Sequence, residues 1–197
     1  MNALPITHTG THAMSLLRMT MLSLFVAFTL GQASAAETLE LDAEKSTIGF
    51  VGKKTDGQHS GGFKKFSCAA VADFEKPENG SMTIDIDATS LWSDDEKLTN
   101  HLKNPDFFDV RKFPKITFKS TGIDHSGGED KKATLIGELT MLGKTSEVKV
   151  PCTVAIDDKT VTVDTAFAID RTRWGMTYGE GKIKSDVDVT AHLVFNR

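Results

Sequence analysis

The sequence predicts an all-β protein of eight antiparallel strands and one short helix, closed as a barrel or stacked as a sandwich. Three observations carry that prediction. Apolar residues recur at every second position over most of the chain, short turn-forming links separate these runs, and one segment alone switches to helical spacing. A two-residue period buries one face of each strand and wets the other, and either architecture satisfies eight such strands.

Taken in order, the first strand is Thr47–Lys53, with Ile48 and Phe50 on one face. Phe66–Phe74 and Met82–Ala88 follow, the latter aligning Met82, Ile84 and Ile86. Ile116–Ile123, Ala133–Leu142, Glu147–Ile156 and Thr160–Ile169 continue the pattern. The last run, Ile183 to Phe195, is the clearest: every odd position except Ser185 is apolar, and every intervening one except Val194 is polar. Lys76-Pro77-Glu78-Asn79-Gly80, Ser126-Gly127-Gly128, Leu142-Gly143-Lys144-Thr145 and Asp157-Asp158-Lys159 supply the turns. Links this short make neighbours antiparallel, because a parallel crossover takes a dozen or more residues.

The helical interruption starts at Ser93-Asp94-Asp95-Glu96, which has the Ser-x-x-Glu spacing of a capping box. Leu98, His101 and Leu102 then share a face, and Asn104-Pro105 ends the helix because a residue before proline avoids helical angles. So short a helix must pack on the sheet.

The first 35 residues read as a secretory leader, leaving residues 36–197 as one domain. Of the 197 residues, all 27 Asp and Glu and all but one of the 23 Lys and Arg lie beyond position 35. The exception is Arg18, followed by an apolar run from Met19 to Leu30 and by Ala33-Ser34-Ala35, whose small residues suit cleavage before Ala36. The run is shorter than the roughly 20 residues that span a bilayer. A periplasmic or secreted location is therefore expected, with no transmembrane span in the mature chain. A net charge of −4 gives no basic face for nucleic acid.

Two cysteines, Cys68 and Cys152, remain in the mature part. An even pair in an oxidising compartment allows a disulfide, worth about 4–5 kcal/mol in the chain-entropy model for a loop that long. Two buried free thiols are the alternative. No Cys-x-x-Cys occurs, so a thioredoxin-like role is unsupported.

Blocks spread along the mature chain resemble the YceI-like family of bacterial lipocalin-like polyisoprenoid-binding proteins. They are Leu41-Asp42 with Ser46-Thr47-Ile48-Gly49-Phe50, Gly62-Phe63-Lys64-Lys65-Phe66, and Ile84-Asp85-Ile86-Asp87 with Ser90. The most specific is His101-Leu102, Asp106-Phe107-Phe108-Asp109 and Phe113-Pro114-Lys115-Ile116-Thr117-Phe118. Gly137-Glu138-Leu139-Thr140 and Ile169-Asp170-Arg171 with Trp174-Gly175-Met176 complete the set. The resemblance implies an eight-stranded antiparallel lipocalin-like barrel with one short helix. Its ligand would be an amphiphilic long-chain lipid, an isoprenoid or isoprenoid quinone, with no cofactor required; the resemblance also admits a homodimer. The Gly-x-Trp opening of true lipocalins is missing, and the two cysteines stand where small residues are expected.

Alternation nominates Ile48, Phe50, Phe66, Ile84, Ile86, Ile116, Phe118, Leu139, Val150, Phe167, Val187 and Val189 as inward residues, lining a ligand or filling a core. Met141 and Met176 adapt to a flexible chain, and Trp174 joins them from the late element. Phe107 and Phe108, adjacent and so facing opposite ways, form a pocket mouth or lid or anchor the helix. His101 with Asp106 and Asp109 is a structural hydrogen-bonding set rather than a metal site. Arg171 either holds a headgroup anion by bidentate contact or fixes the Trp174-Gly175 turn through an ion pair, and Lys53-Lys54 and Lys64-Lys65 read as solvated faces rather than a pyrophosphate clamp. No Gly-x-Ser-x-Gly elbow, His-Glu-x-x-His or phosphate-cradling loop occurs, which favours a carrier over an enzyme. Two competing readings remain: an enzyme acting on a lipid-like substrate through His101 or Asp106, and a stress or interaction module whose barrel is filled by its own side chains.

Overall fold

Alternating apolar residues take up extended backbone throughout the structure, a computed structural model that describes residues 36–125 and 132–197. The expected leader and the Ser126-Gly127-Gly128 link lie outside the described residues. The strands are β1 Glu37–Leu41, β2 Thr47–Lys54, β3 Gly57–Phe63, β4 Phe66–Ala72, β5 Ser81–Asp87 and β6 Leu91–Ser93. They continue with β7 Lys115–Asp124, β8 Lys132–Met141, β9 Lys144–Ile156, β10 Thr160–Asp170 and β11 Ile183–Asn196. One α-helix, α1, spans Glu96–Leu102.

All pairings are antiparallel, in the order β1-β4-β5-β7-β8-β9-β10-β11, and β1 also pairs with β11. That last contact closes an eight-stranded barrel with Glu40 opposite Asn196 and Leu41 opposite Phe195. Ser46 secures the closure: its hydroxyl donates to Asp42 O at 2.7 Å and accepts from Val194 N at 2.9 Å. Closure removes the exposed edges that an open sheet would carry. β2, β3 and β6 continue from β11, which pairs with β2 from Ile183 to His192, Val189 facing Phe50 and Ala191 facing Ile48, and form a flap beside α1. The barrel thus has a seam end, where β1 joins β4 and β11, and a helix end under the flap and α1.

All eight expected strands are present, but the closed ring is not the same eight. β1 takes the place in it that β2 was expected to hold, and β3 and β6 are additional. The reasons are local. β3 reads Gly-Gln-His-Ser-Gly-Gly-Phe, with almost no apolar row, and β6 is three residues long. Helix α1 is capped by Asp95, whose carboxylate accepts from Leu98 N at 2.7 Å, not by Ser93. Ser93 is still in β6, opposite Gly61, so its backbone is already committed to the sheet. At the β8–β9 hairpin Leu142 and Gly143 both have positive φ, 52° and 70°, as a two-residue turn between twisted strands requires.

The wall is thin between β9 and β10. β10 pairs with β9 only as far as Thr165 opposite Cys152. The next residue of β9 is Pro151, which has no N–H to extend the ladder. Beyond that point the segment Arg171–Trp174 covers the gap. Trp174, 1 % exposed, donates its indole N–H to Leu139 O at 2.9 Å, and Arg173 donates to Glu147 O at 3.0 Å.

Candidate functional site

The inward rows do not meet everywhere: two cavities remain inside the barrel. The one at the helix end measures about 300 Å³, and the one at the seam end about 630 Å³. Between their levels lie Ile84, Phe118, Val150 and Leu193, all buried, which line neither cavity. Phe118 owes its position to Gly137 on the neighbouring strand: a β-carbon there would stand 2.6 Å from the Phe118 ring. The same device recurs at the helix end, where the Phe50 ring lies across Gly61.

The helix-end cavity gathers most of the expected contacts. β2 contributes Ile48 and Phe50, β5 Ile86, β7 Ile116, β8 Leu139 and Met141, and β11 Val187 and Val189. Met176 and both rings of Phe107 and Phe108 complete it. The two rings diverge, as adjacent side chains should. Phe108 packs with Phe50 and Phe63 at centroid distances of 6.3 and 5.8 Å. Phe107 turns toward His101 and Tyr178, 5.1 and 5.3 Å away. Phe107 thus packs on α1 and Phe108 on β2 and β3, and both line the cavity.

Phe66, Ile84, Phe118, Val150, Phe167 and Trp174, also nominated, line neither cavity. Phe66 and Phe167 pack against the core, and Trp174 closes the wall. Alternation assigns a face but not a height along the barrel, and these residues stand at heights where side chains fill the space. The converse omission is the seam-end cavity, lined by Leu39, Met82, Leu135, Val161, Val163 and Phe195 among others. Each of these belongs to an apolar row, so the signal was present but not its grouping.

Arg171 is 4 % exposed and serves the turn. Its Nε donates to Lys184 O at 3.0 Å, Nη1 to Met176 O at 2.6 Å, and Nη2 to Tyr178 O at 2.9 Å and Ile183 O at 3.3 Å. Burial works against its charge and pushes its pKa down. It also lines the helix-end cavity. Asp170, one residue earlier, caps the turn by accepting from Thr172 N and Oγ1, bonds that hold its carboxyl below the usual carboxylate range.

His101 Nε2 and Asp106 Oδ2 are 2.9 Å apart, and the His101 ring sits edge-on between Phe107 and Tyr178. That is a hydrogen-bonded clasp between α1 and the loop after it. Among the described residues no three His, Cys, Asp or Glu side chains gather as a metal site would require.

The disulfide considered for Cys68 and Cys152 is not formed; both are free thiols. Three strands, β5, β7 and β8, separate β4 from β9 in the ring, so the two residues belong to opposite walls. A disulfide needs Cα atoms within about 7 Å. Burial pushes the Cys68 thiol up to about 12 and raises Cys152 as well, while Cys152 Sγ donates to Ala133 O at 3.4 Å. Thiolate is thus scarce at neutral pH. A disulfide-exchange reagent is expected to find no fast thiol in the native protein and both in denaturant, with or without prior reduction. Thiols that appear in denaturant only after reduction would contradict this.

Residues 39–195 match the YceI-like domain. A UPF0312 protein of Pseudomonas putida is 38% identical over 93 residues, 47% of each chain, so the chain spans about half the length of the curated relatives it matches. Among solved structures, Burkholderia cenocepacia BcnA is 33% identical with a TM-score of 0.74, covering 79% of this chain and 99% of its own. A polyisoprenoid binding domain from Saccharophagus degradans, implicated in plant cell wall breakdown, is 15% identical with a TM-score of 0.64. It covers 80% of this chain and 97% of its own, and at that identity the likeness concerns the fold alone.

Proposed function

The chain belongs to the YceI-like domain family, and from that premise we propose that it is a lipid-binding protein that holds the apolar chain of an isoprenoid or isoprenoid quinone inside its barrel. The observation that carries this reading is the helix-end cavity, walled by aliphatic and aromatic side chains and roofed by α1 and the Phe107-Phe108 pair. Its volume of about 300 Å³ stands at the lower bound of small-molecule pockets. The seam-end cavity offers further apolar space on the same axis.

Binding of this kind needs no catalytic group. Each methylene removed from water contributes about 0.8 kcal/mol, and a few isoprene units outweigh the cost of ordering the chain. The polypeptide supplies a dry enclosure, and the lipid supplies the driving force. In this reading residues 1–35 are a cleaved leader, and the barrel shields its lipid in the periplasm or outside the cell.

Mass spectrometry of organic extracts tests the proposal on natively purified protein. About one equivalent of an isoprenoid lipid or quinone per chain is expected. Repeated extraction of none, together with no uptake of added decylubiquinone, would remove the lipid-carrier reading. The packed layer at Ile84, Phe118 and Val150 would then favour a barrel filled by its own side chains.

A further inference from the structure

Among the described residues, the ionisable side chains that line the helix-end cavity are Lys53, Lys54, His59 and Arg171, and no Asp or Glu lines it. In a chain of net charge −4 this is a local excess of positive charge against an apolar wall. The other three have carboxylate partners outside the lining. Lys53 meets Asp188 at 2.5 Å, Lys54 meets Asp56 at 3.5 Å, and His59 Nδ1 meets Asp94 at 2.8 Å. Arg171 differs. Among the described residues no carboxylate comes within 4 Å of it, and Asp170 and Glu180 act on it only from a distance.

A guanidinium carries five N–H groups. Those of Arg171 make four hydrogen bonds, all to backbone carbonyls, which leaves one N–H on Nη1 unused and the guanidinium with no carboxylate in contact among the described residues. A buried cation in that state gains more from an anionic oxygen than an exposed one does, because little water screens the attraction. We propose that the helix-end cavity selects amphiphiles with an anionic oxygen headgroup, carboxylate or phosphate, and that Arg171 is the group that receives it. This deepens the lipid-binding reading and rests on it, favouring within it an isoprenoid with an anionic end over a neutral quinone: the apolar wall holds the chain, and Arg171 sets which end of the molecule enters and which headgroups are excluded. The lysines at the same cavity are already neutralised by their own carboxylates and contribute less.

The test compares four ligands of one chain length on the delipidated protein recovered from expression of the full chain. Hexadecanoate, hexadecyl phosphate, hexadecanol and hexadecylamine, each below its micelle concentration, compete with a neutral naphthylamine dye. Hexadecanoate or hexadecyl phosphate is expected to bind about ten- to a hundredfold more tightly than hexadecanol, with hexadecylamine weakest. Which of the two anions leads distinguishes a carboxylate site from a phosphate site. Equal affinities for all four would overturn the headgroup selection and leave lipid binding standing; no displacement by any of them would overturn both. Arg171→Gln is expected to reduce the anion preference to near parity with the alcohol. Because Arg171 also ties the turn, Lys53→Met/Lys54→Met is the second variant. It should keep the preference, and loss of the preference there would move the site to the lysines and overturn the assignment to Arg171.

Discussion

Trp174→Ala is expected to lower the stability of the barrel by about 3–5 kcal/mol, read as a fall in the urea midpoint with little change in slope. The size follows from what the ring does. It is almost wholly buried, it stands where β9 and β10 no longer pair, and its indole N–H satisfies Leu139 O across the gap. Truncation leaves a large void in the wall and removes the hydrogen bond that ties Trp174 to β8, and the two losses compound. Trp92→Ala is the control: Trp92 lies on β6 and is 39 % exposed, so its removal should cost far less. A Trp174→Ala midpoint no lower than that of Trp92→Ala would show that the wall is held by backbone pairing alone. The variant also opens a second route into the helix-end cavity beside Leu139 and Met176, so a retained lipid should leave it faster.

The strands were legible because a two-residue period is imposed wherever one face is buried. Ile183 to Phe195 announces a strand in sequence and is one, β11, with Leu193 and Phe195 deep in the core. Of the flap, β3 and β6 were not legible: β6 is three residues long, and β3 breaks its inward row of His59 and Phe63 with Gly57 and Gly61. Gly61 has no side chain to betray a face, and its role, admitting the Phe50 ring, exists only once β2 lies beside it. The helix was read at its correct place with the wrong cap, since Ser93 and Asp95 are both good caps and only the pairing of Ser93 with Gly61 decides between them.

The site was half legible for a related reason. Periodicity tells inside from outside, so Ile48, Phe50, Val187 and Val189 were nominated and do line a cavity. It cannot tell a layer that meets from a layer that leaves room. Ile86 and Ile84 occupy equivalent places in the same alternation, yet one lines the cavity and the other is packed between cavities. What separates them is the bulk supplied at each height by the other strands, chiefly Phe118. The ion pair expected to let Arg171 fix its turn is not formed: Asp170 adjoins it in sequence but caps the turn through Thr172, and backbone carbonyls hold the guanidinium instead.

Gly137→Ala is the sharpest test of that layered interior. The added carbon would lie 2.6 Å from the Phe118 ring and 2.6 Å from Lys119 O, both closer than van der Waals contact allows. Lys119 is in β7, paired opposite Glu138, so its carbonyl moves only if the β7–β8 ladder moves. The ring is the softer obstacle, and it can yield only by swinging along the barrel axis into one of the two cavities. Overpacking of this kind costs about 1–3 kcal/mol. The displaced ring also removes space from the cavity that receives it, so lipid affinity should fall together with stability. A double-mutant cycle separates the two obstacles. With Phe118→Leu as background the ring is gone, and Gly137→Ala should cost measurably less than in the parent, a coupling of about 0.5 kcal/mol or more. Additive costs would place the strain on Lys119 O alone. The layer between the cavities would then owe nothing to the fit of one ring over one glycine.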